Sequence, residues 1–269
     1  MKWLFDFYIN SSIHVAISVA ALSLVSTLHY GLRPDPLLLI YIFLGTVTGY
    51  NFVKYAAVAG LHHRSLTSSL RQIQIFSFVS LILLFVILFF IPREVLIWSA
   101  FMALMTLLYA IPVFHGDRNL RRIPGLKILV IALVWAIVTG VFPALLHPIP
   151  ALAVLLESLQ KFFFVLALIL PFEIRDMRYD EEGLRTLPQE IGVSRTRMVG
   201  LMLLLLVLIL ELMKHSTSLA SLVAVAVVVA VTATGTLASR VKQSRYYASF
   251  WVESIPLLWF LSLYCLRSW

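Results

Sequence analysis

Residues 151–192 read ALAVLLESLQKFFFVLALILPFEIRDMRYDEEGLRTLPQEIG. The first half is apolar apart from Glu157 and Lys161, and then charge arrives all at once. Only residues 162–172 are free of charge, whereas a helix crossing hydrocarbon needs about 20 residues. A span here must therefore take in Glu157 and Lys161, whose i, i+4 spacing in the favourable order lets them neutralise each other. Beyond Pro171, six of the thirteen acids fall within eighteen residues: Glu173, Asp176, Asp180, Glu181, Glu182 and Glu190. If the helix continues, Glu173, Asp176 and Asp180 share one face through offsets of 3, 4 and 7. Three like charges there repel, and a divalent cation relieves that repulsion. Carboxylates of this kind suit Mg²⁺, which commonly bridges a few acids to substrate phosphates. A solvated acidic loop paired with Arg175, Arg178 and Arg185 is the plainer alternative. Ionisable groups directly after an apolar span favour the functional reading, as do arginines suited to phosphate oxygens.

The rest of the chain repeats the pattern of long apolar runs and short charged breaks. Of 269 residues 61% are apolar and 13% charged, with a mean hydropathy of +0.96. Soluble domains carry roughly 45–50% apolar and about 25% charged residues. A soluble enzyme, a secreted disulfide scaffold and a disordered chain are excluded together, and the solvent for most of this surface is lipid. The single Cys265 permits no intramolecular disulfide. Asp6 interrupts the first apolar run, which is also too long for the core of a cleavable signal peptide. Charge-free intervals predict an all-α polytopic bundle of nine spans: 12–31, 36–58, 72–91, 94–112, 127–146, 155–174, 196–213, 217–238 and 246–266. The whole chain, 1–269, forms one integral membrane domain with two pseudo-repeated halves, 12–112 and 127–238, and a final helix 246–266. With the N-terminus inside, alternate connections hold 15 basic residues on one side and 4 on the other. By the positive-inside rule the N-terminus is cytoplasmic and the C-terminus outside, in a plasma (inner) membrane. The net charge of +8 reflects orientation and anionic headgroups, with no nucleic-acid partner implied.

The run 173–192 resembles the second aspartate-rich motif of the UbiA superfamily of intramembrane prenyltransferases, D-x-x-D-x-x-x-D followed by G-x-x-T-L-P and a glycine. Asp176 and Asp180 match two of its acids, Glu173 stands for the first, and Gly183, Thr186, Leu187 and Pro188 match the tail. Tyr109-Ala-Ile-Pro112 and Leu120-Arg121-Arg122-Ile-Pro124-Gly125 are similar to the family's tyrosine–proline–basic loop. The resemblance implies nine helices around a central cavity. It implies Mg²⁺ held between two acidic motifs, ionisation of an isoprenyl diphosphate, and attack by a lipophilic, usually aromatic, acceptor. Asp176 and Asp180 would be catalytic and hold one Mg²⁺ with help from Glu173. Asn51, Lys54, Arg64, Tyr109, Arg121, Arg122, Arg175 and Arg185 would bind substrate.

One departure is deep. The family's first motif, N-D-x-x-D-x-x-x-D, falls on residues 51–59, NFVKYAAVA: the Asn remains, and Phe52, Tyr55 and Ala59 replace the acids. Aligning the two halves puts Lys54 on Arg175 and Arg64-Ser-Leu on Arg185-Thr-Leu, so the repeat is intact while one half has lost every carboxylate. Lys54, His62, His63 and Arg64 leave a cationic half-site that can hold diphosphate oxygens without metal, because fixed charge stabilises a leaving pyrophosphate much as a metal does. The same residues also fit a non-catalytic isoprenoid- or lipid-binding membrane protein and a UbiA-type terpene cyclase. A transporter using Glu157, Lys161 and Glu253 fits less well, since transporter sites lie near the midplane. Glu253 has no partner on its own helix and is a functional candidate facing the cavity or another helix's cation. His14 and His29 read as packing residues.

Overall fold

The computed structural model describes residues 2–59, 68–110, 125–179, 186–214 and 217–267, and every regular element among them is helical. The elements are α1 (Lys2–Asn10), α2 (Ile13–His29), α3 (Pro36–Ala59), α4 (Ser68–Leu88), α5 (Arg93–Ala110) and α6 (Leu126–Ala136). After α6 the chain continues through a π-turn (Ile137–Val141) into α7 (Phe142–Leu145). Then come α8 (Ala151–Asp176), α9 (Leu187–Met213), α10 (Leu219–Ala238), and a second π-turn (Tyr247–Val252) leading into α11 (Ile255–Arg267). Each of the nine expected spans thus coincides with helix over most of its described residues. Among the described residues seven are long and apolar enough to cross a membrane, or eight if α1 and α2 form one broken span.

Local chemistry sets the starts. Asp35 accepts from the amides of Leu37 and Leu38 (2.8 and 3.3 Å) and Pro36 opens α3, a capped start with proline where its missing N–H costs nothing. Ser218 caps α10 by accepting from the amide of Ser221 at 3.1 Å. In α9 the Gln189 side chain reaches back to the Thr186 amide at 2.9 Å, Pro188 sits in the first turn, and Gly192 kinks the helix with φ 81°. The Thr–Leu–Pro and glycine of the quoted stretch are therefore helix-start and kink residues.

Two features lie outside the nine-span expectation. Residues 2–10 form a helix of their own, bent 54° from α2 at Ser11–Ser12, where Ser12 adopts the left-handed conformation with φ 64°. Helix α1 is docked by aromatic edges: Phe5 meets Tyr246 and Phe250 at 5.0 and 5.1 Å, and Phe7 meets Phe76 at 5.9 Å. In addition, α9 starts nine residues before the expected 196.

Packing neighbours run α2, α3, α5, α6, α8, α9, α10, α11 and back to α2, which closes a ring with α4 outside against α3. Helices α2 and α8 carry many of the buried residues; α2 packs against the first π-turn, and α8 packs against both. This arrangement puts α1, the C-terminal ends of α3 and α8, the start of α6 and the turn at 247–252 at one end of the bundle.

Candidate functional site

At that end lie the C-terminal ends of α3 and α8. Lys54 near the end of α3, Arg175 at the end of α8 and Glu253 lie close enough to interact electrostatically. Glu253 is half-buried. Lys54 donates to the Asn10 carbonyl of α1 at 3.0 Å, and the Tyr55 hydroxyl donates to the same oxygen at 3.0 Å. The first-half lip is therefore held against the broken N-terminal helix.

Asn51 is nearly inaccessible, at 3%. Its side-chain oxygen accepts from the Ser12 hydroxyl (2.7 Å) and its amide donates to the Ser11 carbonyl (2.9 Å) and the Ser77 hydroxyl (2.8 Å). The retained Asn thus ties the α1–α2 break to α3 and α4. Burying so polar a side chain is tolerable only when its hydrogen bonds are made, and these are.

On the second-half lip, Glu173 is buried and ion-paired with Lys127 at the start of α6, at 2.6 Å. Asp176, the last residue of α8, accepts from Arg175 Nε at 2.7 Å, with both side chains about a quarter exposed. The Arg175 guanidinium also lies 5.3 Å over the Phe172 ring. Asp180, Arg64, Arg121, Arg122 and Arg185 fall outside the described residues, as does the side chain of Tyr109. Among the described residues no group of three His, Cys, Asp or Glu side chains could hold a metal. Glu173 is already neutralised by an ammonium, whereas Asp176 is accessible and has one oxygen committed. The described donor set thus suits a single hard cation at Asp176 better than a cage of three carboxylates.

Sequence reasoning missed two contributors. Lys127 counts in the sequence only toward the charge bias, and its opposite number Glu173 lies 46 positions away. Tyr8 lies within electrostatic range of Glu253 and hydrogen-bonds His14 Nδ1 at 2.7 Å, yet it precedes the first expected span. Its signal was the aromatic density of residues 3–8, WLFDFY.

A second polar cluster lies at the opposite end, about 28 Å along α8 from Asp176 by helical rise. Glu157 contacts Lys161 (2.7 Å), Lys214 (2.5 Å), His29 (3.0 Å) and Ser26 (2.8 Å). Lys214 also contacts Glu211 (2.8 Å) and Gln160 (2.6 Å). A cavity of about 170 Å³ borders His29, Tyr30, Glu157 and Lys214. Each of those four polar groups is already engaged within the protein, with the Tyr30 hydroxyl donating to the Gly140 carbonyl at 2.7 Å.

Comparison with known proteins places this geometry. The model of the UbiA prenyltransferase family matches residues 64–261, starting just past the segment that lacks acids. No curated protein sequence gives a significant match. Three solved structures share the fold at low identity. A UbiA homologue from Aeropyrum pernix K1, without ligand, is 15% identical with a TM-score of 0.67, covering 94% of this chain and 98% of that one. A UbiA homologue from Archaeoglobus fulgidus bound to GPP and Mg²⁺ is 15% identical with a TM-score of 0.58, covering 96% and 100%. A structure described in connection with digeranylgeranylglyceryl phosphate synthase is 18% identical with a TM-score of 0.60, covering 98% of each chain. With a ring of membrane helices, an acid-bearing helix end and a family match over most of its length, the chain belongs to the UbiA prenyltransferase family.

Proposed function

We propose that the chain transfers a prenyl group from an isoprenyl diphosphate to a hydrophobic, aromatic acceptor within the membrane, using a diphosphate site in which fixed cations replace the first acidic motif. The observation that carries this is the convergence of Lys54 and Arg175, equivalent positions of the two halves, on one polar end beside Asp176. The Archaeoglobus homologue's GPP and Mg²⁺ support the donor class and the ion.

Lys54 and Arg175, with Arg64 and Arg185, bind the diphosphate oxygens and stabilise the charge that develops as the allylic C–O bond breaks. Asp176 and Asp180 would hold one Mg²⁺, which when bound supplies Lewis-acid neutralisation of the leaving group. Glu173 assists from behind by fixing Lys127. Asn51 positions the first-half lip through its hydrogen bonds to Ser11 and Ser12. Tyr109, Arg121 and Arg122 are proposed to bind the donor headgroup. The polar end faces the cytoplasm, as the basic bias requires.

The test is release of pyrophosphate from geranyl diphosphate by purified protein in lipid vesicles with Mg²⁺. Asp176→Asn is expected to lower the rate by about 10²-fold or more. Uptake of the diphosphate without any release would replace this reading with that of an isoprenoid-binding protein. Release unaffected by both Asp176→Asn and chelation would remove the acidic motif from the chemistry.

A further inference from the structure

We propose that the buried polar chain at the end of the bundle opposite Asp176 is a proton-binding site, in which His29 Nδ1 takes up one proton and exchanges Lys214 for Glu157 as its partner. The site is independent of the prenyl-transfer reading and stands or falls without it.

Four helices bring polar side chains to this end, a costly arrangement in a membrane bundle and by default a functional one. His29 ends α2, while Glu157, Gln160 and Lys161 lie in the first three turns of α8. Glu211 and Lys214 stand at the end of α9, and Ser221 lies in the first turn of α10. Glu157, Lys161 and Glu211 are almost wholly inaccessible. Glu157 pairs with Lys161 and Lys214, and Glu211 pairs with Lys214. Two carboxylates meet two ammonium groups, so the cluster is balanced before His29 is counted.

The count of hydrogens sets His29 apart. Glu211 accepts from Gln160 Nε2 at 2.9 Å and from Lys214 at 2.8 Å, as an ionised carboxylate does. The Ser221 hydroxyl therefore donates to Glu211 Oε1, and its one hydrogen is spent. His29 Nε2, 2.9 Å from Ser221 Oγ, must then be the donor to that oxygen. A neutral imidazole carries one hydrogen, so Nδ1 is left with a bare lone pair. Yet Nδ1 stands 3.1 and 3.0 Å from Glu157 Oε1 and Oε2, lone pair against lone pair. Its donor in that state is the Lys214 ammonium, farther off at 3.4 Å and shared with Glu157, Glu211 and Gln160. Three contacts in series, Glu157–Nδ1, Nε2–Oγ and Oγ–Glu211, thus have two hydrogens between them. A third, bound at Nδ1, completes the chain with a charge-assisted bond to Glu157. The heavy atoms already stand at bonding distance for it.

Water has a way in. The cavity of about 170 Å³ borders His29 and Glu157 and is walled by Pro150 and Leu152, both exposed. The basic bias predicts that this end faces outside, so the acidity it registers is that of the outer face. The charged groups facing His29 are Glu157 and Lys161 of α8 and Lys214 of α9, with Glu211 of α9 one hydroxyl beyond. From α10 comes Ser221, and from α11 the edge of the Trp259 ring at 6.4 Å. Nearby, Arg267 of α11 donates to the Leu28 carbonyl and the Tyr30 hydroxyl donates to the Gly140 carbonyl. One proton enters and none leaves, and the cluster passes from balance to a single positive charge.

The experiment follows the histidine ring nitrogens of ¹⁵N-labelled, full-length protein in lipid nanodiscs by NMR. The pH runs from about 8 to about 4, spanning the range in which imidazole titrates, and the His29 signals are those absent from His29→Gln. At the alkaline end the ring is expected to carry one hydrogen, on Nε2. On acidification Nδ1 gains the second while the backbone amide spectrum keeps its folded form. Glu157→Gln combined with Lys161→Met keeps the cluster balanced but removes the partner of the new proton, so the same change needs about tenfold more acid. Ser221→Ala, a milder variant that serves if the double one does not fold, frees Nε2 from its fixed role and shows both neutral forms at the alkaline end. A ring that stays neutral for as long as the protein is folded would overturn the site, as would a hydrogen on Nδ1 at the alkaline end. An unchanged midpoint in the double variant, or a single neutral form in Ser221→Ala, would overturn the exchange of partners and with it the proposal.

Discussion

Lys161 shows what one residue can hold together. Its ammonium lies 2.7 Å from Glu157 and 3.8 Å over the Trp259 ring, wholly buried. Glu157 in turn serves Lys214 and His29. Removing one partner of such a pair leaves an uncompensated buried charge, a loss of about 3–5 kcal/mol, whereas removing both is far milder. Lys161→Met is expected to lower stability in detergent by about that much, and Glu157→Gln combined with Lys161→Met by clearly less than the two single losses added. Denaturant unfolding of the three variants checks this. The i, i+4 pair was readable from spacing alone. Lys214 and His29 were not, because a hydrophobicity pattern carries no information on which distant helix ends arrive beside it. Asn51 teaches the same lesson at the other end: its type matched a motif, while its partners Ser11, Ser12 and Ser77 lie on other elements.

At the scale of elements, small residues decide how closely helices approach. In lipid there is little hydrophobic drive between helices, so backbone proximity and packing matter more. A methyl added at Gly140, in the first π-turn, would stand 2.6 Å from the Ser158 hydroxyl and 3.0 Å from its Cα on α8. At Gly200 the same methyl would meet Thr236 Cγ2 at 2.8 Å and Leu170 Cδ1 at 3.1 Å. The first clash involves backbone, which cannot rotate away; the second involves side-chain ends. Gly140→Ala is therefore expected to cost more than Gly200→Ala, within the range of about 1–3 kcal/mol for overpacking, with thermal melts in detergent ranking them. Glycines in the sequence announced neither contact. The spans themselves were legible because a 20-residue apolar requirement leaves few alternatives. Helix α1 was not, since Asp6 breaks its apolar run and aromatic docking on Tyr246 and Phe250 supplies what hydropathy lacks.

Orientation belongs to the whole molecule, and a native residue reports it. Cys265 is the sole cysteine and is exposed on α11. The basic bias predicts a C-terminus outside, so a membrane-impermeant maleimide added to intact cells is expected to label it without any engineering. Labelling only after permeabilisation would invert the topology and put the polar end outside. The last prediction concerns how the complete site balances charge. Two acidic lips would need metal on both sides before an anion could enter, so chelation would abolish donor binding. Here one lip presents Lys54, the other pairs Asp176 with Arg175, and Glu173 is satisfied by Lys127. Donor binding should therefore weaken on chelation rather than vanish. In titrations of geranyl diphosphate, removing Mg²⁺ is expected to raise Kd about tenfold, or about 1.4 kcal/mol. Lys54→Met should have its larger effect in the chelated state, where the ammonium has no metal to share the load. Phe52→Asp, which restores one family acid on the partly exposed first lip, should do the opposite, strengthening the Mg²⁺ dependence while weakening metal-free binding. If chelation abolishes binding outright and Lys54→Met changes nothing, the cationic lip is not part of the diphosphate site.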